Sequence, residues 1–385
     1  RILQAIAVGI TMPLMQVALV NMFPAKQMGA IMGVAGVVLV LAPALGPTFA
    51  GWLITHKFNL IFWTFAASWR TIFLISIFAM RDVIPNRPMK LDFLSVLLSV
   101  VGFGAFLWGF TNVATDGWGK FNTVIAPIVG GLIIIFLFGL RQLKMDDPFL
   151  DIRVFKIRQF TLVTLALALS TMAMMGVEMM LPLYLQDVHG LSAFNSGLVL
   201  LPGSLMMAVV APLAGGVYDR IGSKRLAVIG FLVLALGTVP FMFFTATTPD
   251  HFVTLLYGLR MVGVGMVMMP LTTSAMNAVP VNEVAQATAS NNTARQVASS
   301  VVVALLSSVA QNVITNNMPA SSLKSTNPLQ FANKAIEAML QGYHASFAIG
   351  LVFAIIGIGV ALFLKSGRMI AGVPVEEQDL KGENK

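Results

Sequence analysis

Of the 16 acidic residues in the sequence, one, Glu178, falls inside a long apolar run, STMAMMGVEMMLPLYLQ. A carboxyl group at membrane depth costs roughly 2.5 kcal/mol or more and by default marks an ion or solute path, here one suited to reversible proton binding. The structural alternative is a carboxylate a few turns from the outer end of its helix, wetted by a cleft. Arg260 and Arg295 also fall within apolar runs. Arg295 belongs to SNNTARQVASS, where Asn291, Asn292, Arg295, Gln296 and Ser299 recur three or four residues apart and so share one helix face. A polar face with a fixed cation cannot meet lipid, so it lines a cavity or a neighbouring helix. Either it couples to solute or proton, or it ties helices together through hydrogen bonds.

Methionine occurs 24 times, and Met175 and Met179 flank Glu178. Flexible thioethers line surfaces that accept varied ligands, although they also serve as plain core. With Gln4, the residues Asn291, Asn292, Gln296, Met175 and Met179 are the candidates for a solute cavity. A further constellation, GGVYDRIGSKR, has a shape that a simple basic loop does not require. Gly215 and Gly216 permit close helix approach, Asp219 can cap or pair at the membrane edge, and Gly222 makes the turn. Arg220, Lys224 and Arg225 hold the loop on one side. In APALGPTFAG the small residues Ala42, Gly46, Ala50 and Gly51 allow close packing, and Pro47 removes a backbone hydrogen bond so that the helix can bend.

Other chemistries are excluded. There is no cysteine, hence no disulfide or thiolate site, and no GxxxxGK[ST] loop for a nucleoside triphosphate. The four histidines, at 56, 189, 251 and 344, are scattered and indicate no metal site. Neither a nucleophile paired with a base nor a metal cluster is visible, so an enzyme is not expected. No cofactor is expected either, and energy must come from elsewhere.

The elements that position these residues are membrane spans. Hydrophobic residues make up 57% of the 385-residue chain and charged ones only 10%, against about 25% charged in soluble domains. Eleven apolar runs lie near 2–22, 28–54, 60–80, 92–113, 122–143, 160–186, 194–217, 226–246, 252–279, 284–311 and 343–366. The third carries Arg70 at its middle and is the weakest. One set of loops and the C-terminal tail hold sixteen of the 24 Lys and Arg, whereas the opposite set holds only Lys57, Lys120, Lys324 and Lys334. That asymmetry places the first set, with the C-terminus, in the cytoplasm. The net charge of +8 is thus a topology signal spread over several loops, not a nucleic-acid patch. An odd span count puts Arg1 outside, so upstream spans are expected before it. Residues 144–159 resemble an interfacial helix, and 312–342 form an outer connector with an amphipathic second half.

The stretches Arg1–Pro24 and Arg260–Pro280 are alike. Each begins with Arg, reaches Pro-Leu midway, places Ala four residues after that Leu and ends on Pro. Two copies running in the same direction are what parallel repeats produce in secondary transporters built around a midplane site.

Taken together, these segments carry a family pattern. GGVYDRIGSKR resembles the loop motif of the major facilitator superfamily, and ALGPTFAG resembles the helix-five antiporter motif of its drug-exporting branch. LPLYLQDVHGLSAFNSGLVLLPG, SWRTIFLIS, KLDFLS and NNTARQVASS are similar to segments of the 14-helix drug:proton antiporters. The resemblance implies an all-α integral membrane protein of parallel-repeat bundles, about eleven helices being present, equivalent to helices four to fourteen. It implies that Arg1 matches the helix-four arginine of proton coupling, so that Arg1, Glu178, Arg260 and Arg295 are the coupling candidates. Gly46, Pro47, Gly51, Gly215, Asp219, Arg220, Gly222, Lys224 and Arg225 form the gating motifs. Ala42 and Ala50 stand where the family usually has glycine.

The expected organisation is 1–90, the remainder of the N-terminal bundle; 91–159, two inserted helices with the interfacial segment; 160–368, a six-helix C-terminal bundle; and 369–385, a cytoplasmic tail. The expected function is export of drugs or lipophilic cations across the cell membrane, driven by the proton gradient. Its partners are lipid, proton and drug-like solute, with neither nucleic acid nor an obligate protein partner. The alternatives are a transporter of the same fold for one physiological solute, such as an amino acid, peptide or siderophore, and a truncated chain that transports nothing.

Overall fold

Within a bilayer every backbone N–H and C=O must be satisfied inside the chain, so apolar runs of this length become helices. The computed structural model describes residues 2–22, 35, 46, 49–53, 57, 59–79, 92–145, 148, 150–280, 283–365, 369–370 and 373–374. The helices are α1 (Ile2–Met22), α2 (Asn59–Ala79), α3 (Phe93–Asp116), α4 (Ala126–Lys144), α5 (Arg158–Asp187), α6 (Ala193–Thr238), α7 (Asp250–Asn277), α8 (Val284–Asn317), α9 (Ser321–Thr326) and α10 (Pro328–Leu362). A two-stranded hairpin, Met369–Ile370 with Val373–Pro374, lies in the tail. Among the described residues, nine helical stretches are long and apolar enough to cross a membrane, α6 supplying two of them. Most of the run expected over 28–54 lies outside the described residues.

Gly222 divides α6. Its φ of 76° and ψ of 172° are non-helical and kink the run, which holds the two membrane-length stretches Ala193–Tyr218 and Arg220–Phe243. A side chain would be strained there, and glycine is not. The chain therefore reverses at the turn that the GGVYDRIGSKR spacing predicts. Both halves of α6 then pack against α7, through positions that lack a Cβ. A Cβ on Gly203 would meet Gly258 N at 3.0 Å, one on Gly230 would meet Gly263 O at 3.0 Å, and one on Gly237 would meet Arg260 N at 2.8 Å. Gly216, by contrast, faces open space, so close packing is not its role. The core of α5, α6, α7, α8 and α10 fills around this seam with Phe231, Leu234, Val264, Val267, Leu306 and Phe347, all fully buried. Large apolar side chains such as Leu213, Leu236, Leu255 and Phe363 point outward, as lipid contact requires.

The hairpin α3–α4 packs on α8 and is held at its base by a polar chain. Arg141 Nε donates to Asp92 Oδ2 at 2.9 Å, Ser95 Oγ donates to the same oxygen at 2.5 Å, and the buried Gln142 donates to Ser95 Oγ at 2.7 Å. From there the connection runs on, Leu150 N donating to Gln142 Oε1 and Asp151 N to Gln286 Oε1 of α8. Among the described residues of 144–159, the segment expected as an interfacial helix, the stretch between α4 and α5 carries a 3-10 turn, Ile152–Lys156. Arg153 inside it donates to the carbonyls of Leu143 and Met145, which α4 leaves open at its end. The outer connector is helical, α9 and the first part of α10. Arg70 sits on α2, none of whose residues is buried among the described residues.

Two predictions follow from the packing. Gly263→Leu forces a side chain onto the backbone of Leu234. Overpacking of this kind costs about 1–3 kcal/mol, so the thermal unfolding midpoint in detergent should fall, whereas Gly216→Ala should leave it unchanged. Asp92 stands just outside the span of α3, and the Arg141 guanidinium, with Ser95, holds its carboxyl down to about 2. A depressed carboxylate adds stability that is present above its unfolded pKa of about 3.9 and is lost as pH falls through the folded value. The stability difference between the wild type and Asp92→Asn should hold constant from neutral pH to about 4 and shrink toward about 2.

Candidate functional site

The site is built around Arg260, which is fully buried on α7. Its Nη2 donates to the carbonyls of Ala173 and Met174 on α5, the latter at 3.3 Å, and its Nε donates to Thr238 Oγ1 on α6 at 3.2 Å. Nη1 is sealed in without a hydrogen-bond partner. Glu178 on α5 is half-buried and lies within Coulombic reach of both Arg260 and the buried Tyr257. No direct ion pair joins Glu178 to Arg260 among the described residues. Tyr257 Oη faces Ser204 Oγ at 3.5 Å. Depths match: Glu178 precedes the α5 terminus Asp187 by nine residues, and Arg260 follows the α7 start Asp250 by ten. Pro182, four residues after Glu178, has no N–H, so the carbonyl of Glu178 loses its helical donor.

A second polar level lies one heptad before Glu178, at Thr171. Arg295 of α8 donates from Nε to Thr171 Oγ1 and from Nη2 to Met268 Sδ, both at 3.3 Å. The side chain is partly accessible. One turn earlier Asn291 is buried with Oδ1 unpartnered, as is Oγ of Ser290.

The structure thus brings Glu178 and Arg260 together and places Arg295 at a separate level. Met175 is partly buried against the core, whereas Met179 is exposed, its sulfur 4.0 Å from Ser307 Oγ. Gln296 and Gln4 are exposed, the latter on α1, which packs on α8. Asn292 is half-buried. Arg1, Pro47 and the Asp219 side chain lie outside the described residues. Gly46 is helical and open, whereas Gly51 is buried, and a Cβ there would meet Phe194 N of α6 at 2.8 Å. Gly215 is buried at the α6 bend, Lys224 is half-buried, and Arg220 and Arg225 are exposed beside Gly222.

Sequence reasoning missed Thr171, Thr238, Tyr257, Ser204 and Met268. The seven-residue recurrence of Thr164, Thr171 and Glu178 could have found the first of these, since it marks one polar face of α5. It also missed a brace among scattered loop residues. His189 Nδ1 lies 2.8 Å from Asp250 Oδ1, its Nε2 lies 2.9 Å from Tyr184 Oη, and Tyr343 Oη donates to Asp187 at 2.5 Å. His344 is on α10 with Nε2 2.7 Å from the Phe244 carbonyl. No group of three or more His, Asp or Glu able to hold a metal occurs among the described residues.

Residues 1–303 match the profile of the Major Facilitator Superfamily. The chain belongs to this superfamily. An MFS-type transporter of Bacillus subtilis (strain 168), YcnB, is 38% identical over 389 residues, covering 98% of this chain and 76% of that protein. The lincomycin resistance protein LmrB of Listeria innocua is 32% identical, covering 96% of this chain and 77% of its own length. The multidrug transporter protein MdtP of Bacillus subtilis is 25% identical, covering 95% and 75%. A crystal structure of a bacterial homologue of the human lysosomal transporter Spinster superposes with a TM-score of 0.53 at 12% identity, covering 91% of this chain and 72% of that one, a likeness of fold alone. The chain is therefore a multi-pass membrane transporter of the major facilitator fold, not an enzyme.

The Arg260 arrangement predicts a specific weakness. Thr238→Val leaves Nε of a buried guanidinium without its acceptor, a loss of about 1–3 kcal/mol. Its unfolding midpoint should fall clearly below that of Thr273→Val, a control whose hydroxyl bonds only its own helix, at Met269 O.

Proposed function

We propose that this transporter exports drug-like or lipophilic cationic compounds in exchange for protons, as a member of the 14-helix drug:proton antiporter branch. In this reading it works by alternating access in the cell membrane, with its C-terminus in the cytoplasm and the proton gradient as its energy source. The lipid bilayer, the solute and the proton are its partners, and no cofactor takes part.

The observation that carries the reading is the separation of Glu178 from Arg260: near enough to interact electrostatically, yet not locked in an ion pair. An ionised Glu178 balances the buried guanidinium. Once protonated, it leaves that charge uncompensated, so the two protonation states favour different packings of α5 against α7. A ligand moves such an equilibrium only by its differential affinity for the two states, and here the proton is that ligand. Relatives named for lincomycin and multidrug resistance support the solute class. The pseudo-repeat of Arg1–Pro24 and Arg260–Pro280 supports the paired architecture that alternating access uses.

In everted membrane vesicles carrying the chain, an imposed pH gradient should drive accumulation of a fluorescent cationic dye. Glu178→Gln and Arg260→Ala should each lower the gradient-driven component by about tenfold or more, as expected for intramembrane charges on an ion path. Dye counterflow without a gradient should survive in Glu178→Gln. Flux indifferent to the gradient in the wild type would overturn the coupling. Competition between chemically unrelated dyes distinguishes broad export from a carrier of one physiological solute.

A further inference from the structure

The intramembrane charges divide unequally. Arg260 is fully enclosed, bonded to two carbonyls and a hydroxyl, and faces Glu178, the one acidic residue within an apolar run. Arg295 has no such balance. Among the described residues its partners are a hydroxyl, Thr171 Oγ1, and a thioether, Met268 Sδ, and no carboxylate pairs with it.

A guanidinium carries five N–H donors in a planar fork matched to carboxylate and phosphate oxygens. Here Thr171 takes Nε and Met268 takes one Nη2 hydrogen, so these two partners engage two of the five donors. The Arg295 side chain is only partly buried, so part of it stays accessible, whereas Arg260 is fully enclosed. One turn away, Asn291 adds a buried amide whose Oδ1 has no partner. A fixed cation held by neutral groups and left partly accessible fits an anion that comes and goes.

We infer that Arg295, positioned by Thr171 and Met268 at the junction of α5, α7 and α8, is a subsite for an oxyanion. The oxyanion is either a carboxylate or phosphate group borne by the transported solute or a small free anion. Thr171 and Glu178 are seven residues apart on one face of α5, which sets the two levels about 10 Å apart along the helix. A solute that carries an anionic group on an apolar body meets Arg295 at one level and the Met175 side chain between the two. The inference deepens the proposed substrate range but does not depend on proton coupling, because its test uses no gradient.

The test is equilibrium binding to the purified chain in nanodiscs of zwitterionic lipid, with 2-naphthoate against its methyl ester. The wild type should bind the acid about tenfold more tightly than the ester, the scale of one good charge-assisted hydrogen-bond pair. Arg295→Gln should abolish that preference, and Arg295→Lys should keep part of it. Inorganic phosphate that displaces 2-naphthoate from the wild type points to a free anion as occupant. Failure of phosphate to compete while the Arg295-dependent preference stands points to the solute's own group. Equal affinity for acid and ester in the wild type, a comparison that needs no variant to fold, would overturn the subsite. So would an undiminished preference in Arg295→Gln.

Discussion

A guanidinium buried within a stack of apolar helices has to find acceptors at once, and the helices around Arg260 are arranged by that demand. Placing arginine at the centre of a span costs about 2.5–3.5 kcal/mol on insertion scales, while each hydrogen bond to a charged group returns about 1.5–3 kcal/mol. The carbonyls of Ala173 and Met174 and the hydroxyl of Thr238 therefore suffice to hold the side chain. Glu178 is not needed as a contact partner. Its carboxylate stays half-buried, close enough to interact with the charge and not consumed by it.

That arrangement depends on how closely α6 and α7 approach. Gly237 lies against the backbone of Arg260, so that a Cβ would stand 2.8 Å from Arg260 N. Gly230 and Gly263 repeat the approach farther along, and Gly203 and Gly258 do so on the other half of α6. The turn at Gly222 makes both seams possible, because it folds α6 back so that its two halves both contact α7. Without an apolar driving force between helices in lipid, such backbone contact supplies much of the cohesion.

The spans and the Gly222 turn were legible in the sequence because each rests on a local property: run length, charge asymmetry, or a glycine that the loop cannot replace. Arg260 and Glu178 were legible as outliers in apolar runs. Their association was not, since it depends on the relative rotation of α5 and α7, which the small residues of a different helix determine. Thr238 and Tyr257 look like ordinary span residues until that packing exists. The helical connector was legible only in its second half, through the amphipathic pattern of PLQFANKAIEAMLQ, now the start of α10. The brace of His189, Asp250, Tyr184, Asp187 and Tyr343 joins residues up to 156 apart, and no spacing along the chain announces it.

The position of Pro182 bears on how a charge change at Glu178 could become a movement. An α-helix transmits side-chain events poorly along its axis, because each carbonyl is tied to the N–H four residues later. The tie missing from α5 is the one that would start at Glu178 itself, since Pro182 has no N–H to give. The carboxyl group that gains or loses charge in the proposed cycle thus sits on the turn of α5 where the backbone is least constrained. Below that turn, α5 is pinned through Ala173 and Met174 to Arg260. Above it, α5 is pinned through Tyr184 and Asp187 to the loop before α7 and to α10. A segment fixed at both ends and loosened between them bends at the loosened turn, which is where a change in attraction between Glu178 and Arg260 is felt most strongly.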